Sequence, residues 1–594
     1  MNLRLGILTG CLLCLNPLAQ AATSPLPIAD ELLNRISQEK ILVQSSTDGH
    51  DGRSIEANSE ANSPPSEFRT DLMFKFLIAE FAKHNKLFDL SAETLLDILR
   101  NYEREDIAEM TANAANAARR LDIALEAAKV WFRLKPTSTK ARFVYLTVVL
   151  RNNEFEAARP LINDYLNNRS GEIDKKLQYI ADLVSNAQNR AEGYRFLLGV
   201  TDELEDSYVK SLLLGQSALK AGMAVEANLH ADHALKINLR SEDAALLKAA
   251  ALRQLDDGSS MVFLYEFLEA HPEAGSVRAS VVGDLVREER YEDAIPHLKR
   301  LANDEENGAN VHFTLALVFY ELERFNESQD NVHRALSLGY EDKASAYFQL
   351  GLIDEQLNMM GSAANWFASV PRGTRFVEAQ KRLAKIKFTL DGLKPTIDYL
   401  TKRSLDNPEY FVVFVELQGM IYREAGAMDD YFRVLDEGLA KRPKEPSLLY
   451  SSAMAAEQLG LIDVLELRLR RLIELEPDNA QAFNALGYTL ADKTDRFGEA
   501  KALLVRALEL SPDDPVFIDS MGWIEFKLKE YERSITLLRR AYSLERHPEI
   551  AAHLGEALWA LGKEGEAKSV WTLARDEFPD NDVLIDTLYR YGVD

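Results

Sequence analysis

Few residues in this sequence stand at spacings that could do chemistry. His230 and His233, in NLHADHAL, lie three apart, so one turn of helix would put two imidazoles on the same side, where they could share a metal. No third ligand is evident, and two solvated histidines are the plainer reading. Ile518-Asp519-Ser520-Met521-Gly522 matches only the C-terminal half of the G-x-S-x-G turn that exposes a nucleophilic serine, so Ser520 reads as an ordinary helix residue. Neither a phosphate-cradling G-x-x-x-x-G-K-[ST] nor a zinc-binding H-E-x-x-H occurs. With 94 acidic residues in the chain, neighbouring carboxylates arise by chance and mark no acid–base pair. The expectation is a protein without catalytic residues, metal or cofactor.

The first residues, MNLRLGILTGCLLCLNPLAQAA, combine Arg4, an apolar run from Leu5 to Leu15, Pro17, and small residues at Ala19 and Ala21. This is the pattern of a secretory leader at 1–21, cleaved after Ala21. Both cysteines, Cys11 and Cys14, fall inside it, so the secreted chain would have no thiol for a disulfide, a nucleophile or a metal. Leu8-Thr9-Gly10-Cys11 also resembles the lipidation signal of bacterial lipoproteins, which would leave a lipidated Cys11. Only ten residues precede that cysteine, fewer than a charged and an apolar region require, and the sequence favours cleavage after Ala21. No later stretch is apolar for long enough to span a bilayer.

Residues 22–67 divide in two. Ile28, Leu32, Leu33, Ile36 and Leu42 recur close to one helical face, which makes an amphipathic helix expected to dock on a partner, or to fold back onto the concave face, through Ile28, Leu32 and Ile36, with a terminal cap of the array as the alternative. From Ser45 to Glu67 the chain is Ser, Asn, Gly, Asp and Pro with almost no apolar residue, the composition of a disordered linker. From residue 68 to 594 helical periodicity does not stop. At 594 residues the chain is too long for one core, and the period decides how it is divided. Gly487, Gly522 and Gly555 stand 35 and 33 residues apart, and Pro443, Pro477, Pro512 and Pro579 keep the same beat if one unit lacking proline near Arg546 is counted. About 34 residues is the period of the tetratricopeptide repeat, a helix–turn–helix hairpin. A mid-helix glycine costs about 1 kcal/mol relative to alanine, so glycines at matching positions need a close helix crossing to offset them. Gly555 and Ala567 are expected to face each other across one hairpin, with Leu554, Leu558 and Trp571 around them. Gly419, Tyr422 and Gly426 repeat the register, as do Leu350, Gly351, Ala363 and Trp366, then Leu315, Ala316, Phe319 and Ala335, then Gly215, Gly222, Ala227 and Ala234. Ala112, Ala124, Ala128 and Pro136 repeat it more weakly, and the segments near Ile173–Asp206 and Thr374–Pro408 are degenerate. The fold class is all-α, a tetratricopeptide-repeat solenoid of roughly fifteen hairpins.

Function in such an array resides on its surface. The formal charge of −25, from 69 basic and 94 acidic residues, argues against nucleic acid as a partner and suits basic proteins or solubility. The register puts Tyr488, Asp519, Trp523, Phe526 and Trp559 on the first helices, which line the concave side of this kind of array. There they are candidates for gripping a peptide or a partner helix, or for packing between hairpins.

The run from NALGYTLADKTDRFGEAKALLVRALELSPDDPVFIDSMGW to HLGEALWALGKEGEAKSVW resembles the LbcA-like tetratricopeptide adaptor lipoproteins of Gram-negative bacteria, and LMFKFLIAEFAKHNKLFDLSAE resembles the start of the same array. The resemblance implies a periplasmic adaptor, with outer-membrane association where lipid is attached. Such an adaptor binds a carboxyl-terminal processing protease and brings it substrates such as peptidoglycan hydrolases, by tethering or by activation. The departure from that family is the poor lipidation signal, on which outer-membrane anchoring depends. A structural envelope scaffold for polysaccharide export or pilus assembly is the alternative. The leader reading has a direct check: mass spectrometry of the chain extracted from the envelope should show Ala22 as the first residue, and an acyl adduct on Cys11 would overturn it.

Overall fold

The computed structural model describes residues 66–167, 172–255, 258–303 and 308–593; the expectations placed on Cys11, Ile28, Leu32 and Ile36 lie outside the described residues. Among the described residues every regular element is helical: 31 α-helices and one 3-10 turn at Pro408–Tyr410. The helices pair as antiparallel hairpins, and the all-α repeat array expected from the 34-residue beat is the fold. It divides into two compact units, one ending at Glu341 and the other beginning at Asp342. None of the described helices is long and apolar enough to cross a membrane.

A left-handed residue commonly ends the first helix of a hairpin. Gly426 (φ 71°) and Gly562 (φ 81°) take that conformation at no steric cost, which explains Gly426 and Gly222 in the sequence register. Asn153, Glu323 and Lys529 do the same work elsewhere with positive φ of their own, so the turn glycine is not obligatory and is an unreliable repeat marker.

The mid-helix glycines are different. A methyl group on Gly522 would lie 2.6 Å from Leu538 Cγ, one on Gly487 2.8 Å from Leu504 Cγ, and one on Gly351 2.5 Å from the Phe367 ring. At Gly555 it would collide with the Trp571 indole. In each hairpin a large side chain of the second helix sits directly on the backbone of the first. Leu504, Leu538, Phe367 and Trp571 are all fully buried there. Trp571 also donates its indole N–H to the Ala552 carbonyl at 3.2 Å, and Ser534 donates to the Gly522 carbonyl at 2.8 Å.

Successive hairpins are joined on the outside by arginines that precede second helices. Arg120 pairs with Asp122 ahead of it and with Glu93 of the preceding hairpin, both at 2.8 Å. Arg324 repeats the arrangement with Glu327 and Glu292, and Arg496 with Glu499 and Glu466. Exposed pairs of this kind add little to stability, so these ladders favour register more than stability. The degenerate segments are regular helices too: Ile173–Ser185 with Arg190–Thr201, and Phe376–Asp391 with Leu393–Asp406. In the second pair the single residue Gly392, at φ 82°, is the whole connection, and the repeat pattern is lost with the usual turn.

Gly522→Leu should cost about 1–3 kcal/mol by overpacking against Leu538. The loss should be local, because hairpins contact chiefly their neighbours. Limited proteolysis around residue 522 and a melting curve check it; an unchanged protein would show that this crossing has room to spare.

Candidate functional site

The C-terminal hairpins put their most concentrated chemistry on the face made by first helices. Asp514 starts one of these, Pro515–Lys527, by accepting from the Val516 and Phe517 amides at 2.9 and 3.3 Å, with Pro515 at the first turn, where it needs no N–H partner. Its neighbours on this face are Ala480–Lys493 before it and Pro548–Ala560 after it, each helix in contact with the next of the series.

His553 is the centre of the cluster. Its Nδ1 lies 3.0 Å from the Asp519 carboxylate, 34 residues away, and its ring stacks on Trp523 with centroids 4.2 Å apart. Trp523 stacks in turn on Phe526 at 4.9 Å and donates its indole N–H to Asp492 of the preceding hairpin at 3.3 Å. Lys527 Nζ lies 4.9 Å from the Trp523 ring centre and 3.3 Å from Asp492. The Tyr488 ring lies 6.3 Å from His553. Three consecutive hairpins are thus tied by one polar and aromatic chain.

The electrostatics follow from burial. Burial alone would lower the His553 pKa, but the Asp519 carboxylate, with Glu556 and Glu549 beyond it, outweighs this and holds the pKa above the ordinary histidine value. Tyr488 is raised, first by burial and then by the nearby carboxylates of Asp492 and Asp519. Burial would raise Asp492, yet Lys493 and Lys527 bring it below the usual range.

A second aromatic group follows. Trp559 lies 5.9 Å from Trp571 and 5.4 Å from Tyr591, and Lys568 sits 5.5 Å from the Trp559 ring. Beside it Arg590 pairs with the buried Glu556 at 2.7 Å across another 34-residue step.

Of the five residues singled out in the sequence, four meet around His553 and Trp559 belongs to this second group. Asp519 and Trp523 keep only 7% exposure each and are held inside the cluster. Tyr488, Phe526 and Trp559 are half-buried and form its accessible part. Sequence reasoning missed His553, Asp492, Lys527, Glu556 and Arg590. The signal that would have found them is the recurrence of opposite charges at 34–35 residue offsets on first helices. Ser520 donates to the Val516 carbonyl as a helix residue does. His230 engages Tyr194 and His233 engages Ser211, and among the described residues no group of three or more ligand-type side chains is disposed to hold a metal.

Elsewhere in the same unit a groove of about 570 Å³ opens beside the Phe411–Glu424 helix. Its lining includes Ile397, Leu405 and Phe411 together with Arg433, Glu437, Lys441 and Arg442. Lys441 and Arg442 lie 5.6 and 6.0 Å from the Phe411 ring centre.

Residues 480–514, which supply the first helix of the His553 cluster, match the tetratricopeptide repeat family. The chain carries tetratricopeptide repeats. Over 214 residues it is 36% identical to the TPR repeat-containing protein PA4667 of Pseudomonas aeruginosa, a match that spans 36% of each chain. Thus the aligned part covers about a third of that relative's length. Solved structures similar to this chain include TTC0263, a thermophilic TPR protein of Thermus thermophilus. It is 22% identical, with 29% of this chain and 93% of that one covered and a TM-score of 0.27. The APC/C hetero-tetramer Cut9-Hcn1 is 15% identical over 83% of this chain and 98% of that one, with a TM-score of 0.28. Tetratricopeptide repeats are protein-interaction scaffolds, and a protein partner is what this surface implies.

The raised His553 pKa makes the cluster's stability depend on pH. A proton bound more tightly in the folded state stabilises fully below about pH 6.5, and that contribution is lost as pH rises through the raised value. Asp519→Asn removes the nearest counter-charge and leaves burial opposed only by Glu556 and Glu549, so the loss of stability with rising pH should shrink or reverse. Hydrogen-exchange protection of Pro515–Lys527 and Pro548–Ala560, measured from pH 5 to 8, reports both slopes; parallel profiles in the two proteins would refute the assigned pair.

Proposed function

We propose that the chain is a periplasmic adaptor that binds a carboxyl-terminal processing serine protease and presents substrates such as peptidoglycan hydrolases to it. The observation that carries the reading is the C-terminal face: Tyr488 and Phe526 stand partly exposed over a floor locked by His553, Asp519, Trp523 and Asp492, and Trp559 continues the aromatic surface on the next first helix. Such a surface offers broad aromatic contact at small entropic cost, because the residues beneath are already fixed. The secretory leader supports the compartment, and the DSMGW and HLGEALW strings support the kind of partner.

The mechanism requires two binding places and no chemistry from the scaffold. One is the aromatic face. The other is the groove beside Phe411–Glu424, where apolar side chains and three cations against the single carboxylate of Glu437 suit an acidic, partly apolar segment of a partner. Holding protease and substrate on one scaffold raises the concentration of each around the other, to the millimolar range for a short tether. If the protease binds better in its active arrangement, the adaptor also activates it, with the coupling reciprocal.

Affinity capture with the tagged chain from envelope extracts should recover a PDZ-containing serine protease. The purified pair should then cleave a peptidoglycan hydrolase faster than the protease alone. Recovery of secretion or pilus machinery without a protease would favour the structural scaffold and overturn the adaptor reading.

A further inference from the structure

The groove beside Phe411–Glu424 differs from one end to the other. It lies between two second helices, Leu393–Asp406 and Met428–Lys441, with Phe411–Glu424 beneath them. Gly438 sets one wall directly on that floor, since a methyl group there would lie 2.6 Å from Val415 Cγ1. At one end Lys441 and Arg442 stand 5.6 and 6.0 Å from the same Phe411 ring centre. Both are exposed, and among the described residues neither has a carboxylate within ion-pair distance. The other end holds Tyr422 with Arg433 and Glu437, and Arg433 is already neutralised by Asp430. Along the floor helix the two ends are about 16 Å apart at 1.5 Å per residue. Between them Thr401 donates to Gln418 Oε1 at 3.2 Å, and Gln418 donates to the Phe414 carbonyl at 3.2 Å, so this part of the floor is fixed. Ser404 also lines the groove and is only 8% exposed, yet its hydroxyl has no hydrogen-bond partner among the described residues. A buried hydroxyl left unpaired costs free energy, and here a partner can reach it only from the groove.

We propose that the groove binds an extended segment of about five residues from a partner protein, with an acidic side chain at the Lys441–Arg442 end and apolar side chains at alternate positions. Charge fixes the acidic end. In a chain of formal charge −25, two cations without a carboxylate converge on one ring, and an acid placed between them satisfies both. Shape fixes the backbone. At about 3.3 Å per residue five extended residues span the 16 Å, whereas a helix about 10 Å across would fill roughly 1,300 Å³ over that length, more than twice the 570 Å³ of the groove. An extended chain turns alternate side chains toward Ile397, Val415 and Val434 and leaves its amides and carbonyls for Ser404 and Tyr422. A lipid chain would leave the Ser404 hydroxyl unpaired. The partner's identity rests on the adaptor reading; what the groove adds is that a partner is chosen by a short linear segment rather than by its folded shape.

The probes are synthetic five-residue peptide libraries with acetylated and amidated ends, so that any carboxylate is a side chain, offered to the purified chain without protease. Selected sequences should carry Asp or Glu at one end and apolar residues at alternate positions. Lys441→Ala combined with Arg442→Ala should weaken the best binder at least tenfold, with the melting curve unchanged because both positions are exposed. Lys236→Ala, at an exposed position in the other unit, should leave binding as it was. Selection of no sequence, of sequences without an acid, or only of free terminal carboxylates from a parallel unamidated library would overturn the proposal. So would equal peptide binding by the double variant, or loss in that variant of binding to phosphatidylglycerol vesicles alone. No protease takes part, so peptide selection succeeds or fails independently of protease capture, and the two readings fall separately.

Discussion

A large side chain seated on the bare backbone of the preceding helix is the contact from which the rest of the array follows. Gly351 under Phe367, Gly487 under Leu504, Gly522 under Leu538 and Gly555 under Trp571 each bring the two helices of a hairpin close. A hairpin that close has one face left on each helix, and stacking neighbours is the only way to bury both. First helices therefore lie beside first helices. Residues one repeat apart become neighbours although about 34 residues separate them in sequence.

That adjacency treats the two faces differently. Along the second helices the lateral contacts are ladders at the surface, Arg120 with Glu93 and Arg496 with Glu466, whose charges stay in contact with water. Along the first helices at the C-terminal end they are desolvated: His553 with Asp519 and Trp523 with Asp492. A desolvated pair is strong only while complete, because losing one partner strands the other away from water. The first-helix face is consequently the more rigid of the two, and it carries the aromatic side chains that a partner can reach.

Legibility in the sequence divides along the same physical line. The glycine beat was readable because only a small residue survives at the crossing, so Gly487, Gly522 and Gly555 mark the hairpins directly. How closely each glycine is covered was less plain: Trp571 could be placed around Gly555 and Ala567 from the register, but not its indole lying directly on the glycine's backbone. Tyr488, Asp519, Trp523 and Phe526 could be placed on one face from the register. Their burial could not, since it depends on His553, and a histidine's role is set by the carboxylate of the next hairpin rather than by its own neighbours in sequence. The Phe376–Asp391 and Leu393–Asp406 pair was hard to recognise for a simpler reason, its connection being reduced to Gly392.

Because neighbouring hairpins couple mainly to each other, a change in the charge on His553 reaches only the helices it touches. Weakening the His553–Asp519 pair loosens Pro515–Lys527 against Pro548–Ala560 and leaves hairpins many repeats away as they were. The aromatic face stands on those same helices, so its order and the protonation of one imidazole are linked. The buried pair thereby ties the stability of two helices to acidity and leaves the rest of the array as it was.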